Sequence, residues 1–125
     1  MSPLESQFEL LKTQHSSATL RTLPNGASVV TLPDFPLPEG WSRPAATMRF
    51  VVPVGYPFAN PDCFWADPDL RLATGAMPMN TNMQPLPETS EPLLWFSWHT
   101  AKWHPSRDTL TTYMFVILNR LREAR

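Results

Sequence analysis

The chain has 125 residues, with ten Lys and Arg against eleven Asp and Glu, a formal net charge of -1, 42% apolar residues and 11% aromatic ones. That length holds one domain, so residues 1–125 are read as a single unit; the balanced charge lacks the footprint of a nucleic-acid or anionic-membrane binder, and the apolar share excludes disorder. One cysteine makes no internal disulfide, no apolar run nears the roughly 20 residues of a bilayer span, and no signal-peptide pattern opens the chain, so a soluble protein of the reducing cytoplasm is expected.

Ser2-Pro3-Leu4-Glu5 combines a capping hydroxyl, a proline for the first helical position and a Glu that closes a capping box. A helix is predicted from residue 3 to about 13, with Leu4, Phe8 and Leu11 on its buried stripe. Around Pro24-Asn25-Gly26 the sequence alternates, and Asn-Gly supplies the positive φ of a tight turn, so strands are predicted at 18–23 and 27–32. Pro33, Pro36, Pro38 and Pro44 mark Leu32–Pro44 as a stiff loop. Residues 47–52, rich in β-branched and aromatic side chains, predict a central strand, and Cys63–Ala66 a short fourth one.

Asp67–Pro92 has five prolines and no periodicity, so it reads as a long loop, a length that is usually functional or mobile. Leu93–Trp98 reads as a short extended segment that turns Trp95 and Trp98 inward. Leu110, Tyr113, Met114, Ile117, Leu118 and Leu121 then recur at helical spacing, which predicts an amphipathic helix from 107 to about 123, capped by Ser106. The layout is α+β, with helices on one antiparallel sheet.

The run Phe50-Val51-Val52-Pro53-Val54-Gly55-Tyr56-Pro57, followed by Pro61-Asp62-Cys63-Phe64-Trp65, resembles the core signature of the ubiquitin-conjugating (UBC) fold superfamily. There an apolar third strand enters a Tyr-Pro pair, a Pro-rich turn and a short fourth strand. Trp103-His104-Pro105 resembles the Trp-x-Pro that opens the helix after that family's active-site loop. The chain is most similar to the divergent bacterial branch, of prokaryotic family E type, encoded beside ubiquitin-like proteins, activating enzymes and JAB-type deubiquitinases. The resemblance implies a UBC-like domain, a role in a bacterial ubiquitin-like conjugation pathway, and a place in antiviral defence. Its implied partners are a ubiquitin-like protein and an activating or active conjugating enzyme.

The resemblance also places a thiol nucleophile, in a Gly-x-x-Cys context, about eight residues after a His-Pro-Asn stretch. Here those stretches read Gly75-Ala76-Met77-Pro78 and Asp67-Pro68-Asp69. Proline offers no nucleophile, and an aspartate in place of the asparagine puts negative charge where an oxyanion would develop.

Cys63 is the one thiol, and its alternation with Trp65 in the predicted strand reads first as buried and inert. His99 is the weak candidate for a relocated catalytic histidine, ahead of His15 and His104, and Ser97, with Ser90 and Thr100, for a hydroxyl acceptor beside it. His99 and His104 have no third ligand at a recognisable spacing, so neither a metal nor a cofactor is expected. Met77, Pro78, Met79 and Met83 form the candidate partner-binding stretch, since methionines adapt to varied surfaces. The tail Arg120, Arg122 and Arg125 reads as cations answering a helix carboxyl end. Together these features favour a binding or scaffold subunit without its own thioester chemistry. The alternative is an unconventional transfer enzyme that uses Cys63 or a hydroxyl near His99.

Overall fold

The computed structural model describes residues 2–100 and 102–125. Ser2 caps helix α1, Pro3–Gln14, by accepting the Glu5 N–H, and Pro3 stands in its first turn as the sequence predicts. Phe8 and Leu11 turn into the core, with Leu4 packed at its edge. Strands β1, Thr19–Thr22, and β2, Ser28–Pro36, form a hairpin whose turn is closed by Asn25 Oδ1 on the Ala27 N–H and by Gly26 at φ 92°.

β2 runs on through Pro33 and Pro36, where the sequence reads a stiff loop. A bulge between Leu32 and Phe35, with Asp34 at φ 52°, absorbs Pro33, so pairing with the next strand resumes at Phe35 opposite Ala46. Strand β3, Ala45–Val52, is hydrogen bonded on both sides, to β2 and to β4, Phe64–Ala66. It buries alternate residues, Ala46, Met48, Phe50 and Val52, so one face of this central strand carries most of its packing.

Within the stretch read as one long loop, Thr81–Met83 forms a further strand, β5, on the far edge of the sheet. Its partner is β6, Leu94–Phe96, which also pairs β4, giving the antiparallel order β1-β2-β3-β4-β6-β5. Three polar-to-mixed residues carry no periodicity, so only the pairing reveals the strand.

Both helices cover one face of the sheet. Phe8 and Leu11 meet Tyr113, Ile117 and Leu121 over Phe50, Phe64 and Phe96, in a core where Phe64 and Phe96 stack at 4.6 Å. A smaller cluster of Val29, Trp65, Leu86 and Leu93 lies apart from it. Trp95 joins that second cluster, opposite to Leu94 and Phe96, because neighbours in a strand face opposite ways; only Trp98 of the expected inward pair packs on the main core.

Helix α2, Leu110–Leu121, starts three residues later than the sequence predicts. Thr109, not Ser106, is the cap, in a reciprocal capping box with Thr112, while Asp108 accepts the His104 N–H in the turn ahead of it. The two stretches that carry the resemblance touch. The Trp103 indole donates to the Pro57 carbonyl at 2.8 Å, and its ring lies 6.0 Å from that of Tyr56. The Tyr56 hydroxyl in turn donates to Gln7 Oε1, which also accepts the Leu110 N–H, so one glutamine links α1, the Tyr-Pro loop and the start of α2. No helix among the described residues is long and apolar enough to cross a membrane.

Candidate functional site

Pro78, at the position that the resemblance assigns to the thiol, is buried between exposed Met77 and Met79. The segment is closed by α2 and the residues that follow it. The Met79 N–H donates to the Arg125 carbonyl at 3.0 Å, and the Met79 carbonyl accepts Arg120 Nη2 at 2.9 Å. Arg120 is fully buried, donates also to the Glu123 and Arg125 carbonyls, and lies over the rings of Phe96 and Trp98. It stands in the last turn of α2, where the sequence places a helix-end cation, and is buried there as an internal clamp. A guanidinium fits this role because its fork of N–H groups satisfies several carbonyls at once and its flat face is weakly hydrated. Burial, together with Arg125 beside it, lowers its pKa.

The acidic pair upstream is also committed. Asp67 accepts from Arg43 at 2.9 Å and from the Thr47 N–H at 2.9 Å and lies 3.5 Å from Arg49, while Asp69 takes both Arg43 Nη atoms at 3.0 and 3.2 Å. Their charge is therefore balanced by two arginines and spent on fixing the loop after β4 against β3.

Other chemistry gathers at the opposite end of β4. Cys63 stands just before the strand, at φ 62°, rather than alternating with Trp65 inside it. Its N–H donates to the Trp98 carbonyl at 2.9 Å, and its own carbonyl accepts the buried Tyr113 hydroxyl at 2.6 Å, so the core grips this residue on both sides of its α-carbon. The left-handed turn has a consequence for direction. In extended chain, adjacent side chains point opposite ways, whereas here those of Asp62 and Cys63 both reach His99, which follows β6. His99 Nδ1 lies 2.7 Å from Asp62 Oδ1, and the ligand atoms of Asp62, Cys63 and His99 all lie within 4.8 Å of one another.

Within this cluster Cys63 is 8% exposed, whereas the side chains of His99 and Asp62 are 67% and 53% exposed. Burial pushes the Cys63 thiol up in pKa, and the Asp62 carboxylate adds to this; the N–H groups of the Trp98 backbone and the Trp95 side chain pull the other way. The structure therefore brings two sequence candidates, Cys63 and His99, together with a third residue that sequence reasoning missed. Asp62 and His99 are 37 positions apart, and no spacing rule links them.

Ser97 does not join them through any hydrogen bond; its backbone N–H serves β5 by donating to the Asn80 carbonyl. Thr100 is half-buried and its hydroxyl has no hydrogen-bond partner among the described residues, and Ser90 is exposed on the far loop. His15 is structural, bonded through Nε2 to the Pro33 carbonyl and stacked on Phe35. His104 is exposed at the turn before α2. Met77, Met79 and Met83 are 44%, 55% and 40% exposed, while Leu86 between the methionines and β6 is buried. Phe58, at 84%, and Val54 are more exposed still; both sit in the loop after β3. Sequence reasoning passed over them, because an exposed apolar residue carries no signal of its own.

A family model described as Prokaryotic E2 family E matches residues 8–124. No curated protein and no solved structure matches the chain.

Proposed function

The chain belongs to prokaryotic E2 family E, and from that premise we propose that it serves as a binding subunit of a bacterial ubiquitin-like conjugation pathway, without thioester chemistry at the usual place. E2-like proteins interact with ubiquitin-like proteins and with the enzymes that pass them on. The observation that carries the reading is the state of residue 78. A thiol there would have to be open to an incoming tail, and Pro78 is instead buried, with Met79 beside it held by Arg120 and Arg125. What this region offers to a partner is apolar surface, from Met77, Met79 and Met83, which suits adaptable docking more than bond formation.

The direct test is reversible binding. The chain should form a stable complex with the ubiquitin-like protein or its activating or conjugating enzyme, measured by titration calorimetry. The triple replacement of Met77, Met79 and Met83 by serine should weaken it at least tenfold with an unchanged melting temperature. Binding that is absent, or indifferent to the methionines, would sink the proposal.

One observation favours a second reading, transfer through Cys63. His99, held by Asp62, sits beside the thiol, the arrangement in which a base accepts the proton as sulfur attacks. Cys63 Sγ would then take the tag's carboxyl carbon from the activating enzyme's thioester and release that enzyme's thiol. Its burial and raised pKa oppose this. After incubation with activating enzyme, ATP and the ubiquitin-like protein, an adduct that thiol removes and Cys63→Ser abolishes would establish it in place of the first reading.

A further inference from the structure

We propose that Asp62, Cys63 and His99 form a binding site for one divalent transition-metal ion of the zinc class, held by one carboxylate oxygen, one sulfur and one imidazole nitrogen. This goes beyond the docking role and stands independently of it. The donor set is the first argument. A thiolate, an imidazole and a carboxylate are the ligands that zinc and its neighbours select, whereas calcium and magnesium take oxygen alone.

Geometry is the second. Tetrahedral zinc, with bonds of about 2.0 to 2.3 Å, sets its ligand atoms about 3.3 to 3.6 Å apart. The three atoms here lie within 4.8 Å, and the His99 and Asp62 atoms at 2.7 Å. A small opening of one pair and closing of the others reaches the required spacing. Asp62 and His99 are free to make that adjustment, because both side chains are more than half exposed.

Anchoring is the third. Cys63 is the rigid member, fixed by the Trp98 carbonyl and the Tyr113 hydroxyl, and its left-handed backbone is what directs two consecutive side chains to the same point. Such a left-handed conformation is strained for a residue other than glycine. The exposed Asp62–His99 hydrogen bond that it permits stabilises the fold little by itself and does not offset that strain. Three protein donors leave one position of the tetrahedron for water or for a side chain of a docked protein.

The test uses the full chain, stripped with chelator and titrated with Co²⁺ and then Zn²⁺. One Co²⁺ per chain should bind with a thiolate-to-cobalt charge-transfer absorption, and Zn²⁺ should displace it. Cys63→Ser should lose that absorption. Because Cys63 is buried, exposed His99 supplies the safer variant: His99→Ala should keep the wild-type circular dichroism and lose saturable binding, while His104→Ala behaves as wild type. No charge-transfer absorption in the wild type, its persistence in Cys63→Ser, or saturation unchanged by His99→Ala would overturn the proposal. None of these readings involves a partner protein, so failure of the docking role leaves them untouched.

Discussion

The two ends of β4 lead to contrasting places. Beyond its carboxyl end, the segment at Pro78, where the resemblance alone implies a nucleophile, holds no reactive side chain and is closed by a buried arginine. Before its amino end, Asp62, Cys63 and His99 bring a thiol, an imidazole and a carboxylate within 4.8 Å. The fold keeps its architecture in both places. The contrast teaches that packing and chemistry are separable: α1, the meander and α2 are maintained by apolar packing, which does not depend on the reactive groups of Asp62 and His99 at the surface.

If the Pro78 segment is closed by Arg120, removing that side chain should have the largest effect. Arg120→Ala leaves the Met79, Glu123 and Arg125 carbonyls without their charged donor. At about 1.5–3 kcal/mol per charged hydrogen bond, the loss should exceed about 3 kcal/mol in urea unfolding. A loss under 1 kcal/mol would mean that the segment is held by something else.

At the other end the grip is Tyr113. Tyr113→Phe removes the bond to the Cys63 carbonyl and should cost about 1–2 kcal/mol. It should also loosen the cluster, seen as faster alkylation of Cys63. An unchanged alkylation rate would show that the Trp98 contact alone positions the residue.

The smallest effect concerns acidity. Because burial raises the Cys63 pKa, less thiolate is present at any given pH than for free cysteine. In chelator-treated protein the alkylation rate should therefore rise with pH through a midpoint above that of free cysteine, near 8.5 for an unperturbed thiol. A midpoint at or below that value would mark Cys63 as activated and favour the transfer reading.

Much of the architecture is legible in the sequence. Ser2-Pro3 and the 3.6-residue stripe of α2 are local signals, and Asn25-Gly26 specifies its turn without help from the rest of the chain. The failures have a common cause in distant partners. β5 exists only because β6 lies beside it, and β2 continues past Pro33 only because a bulge takes up the missing donor. Arg120 is the helix-end cation that the sequence indicates, but its burial and its bond to Met79, 41 positions away, carry no local signal. The cluster is the same kind of case. Cys63 and His99 are visible singly, but their meeting depends on a left-handed backbone at Cys63 that no periodicity announces.

The most direct test of the docking account is the intact mass of the chain after incubation with activating enzyme, ATP and the ubiquitin-like protein, with complex formation followed in the same mixture by size-exclusion chromatography. The account predicts co-elution with a partner at an unchanged mass. A chain heavier by the mass of the tag less one water would contradict it.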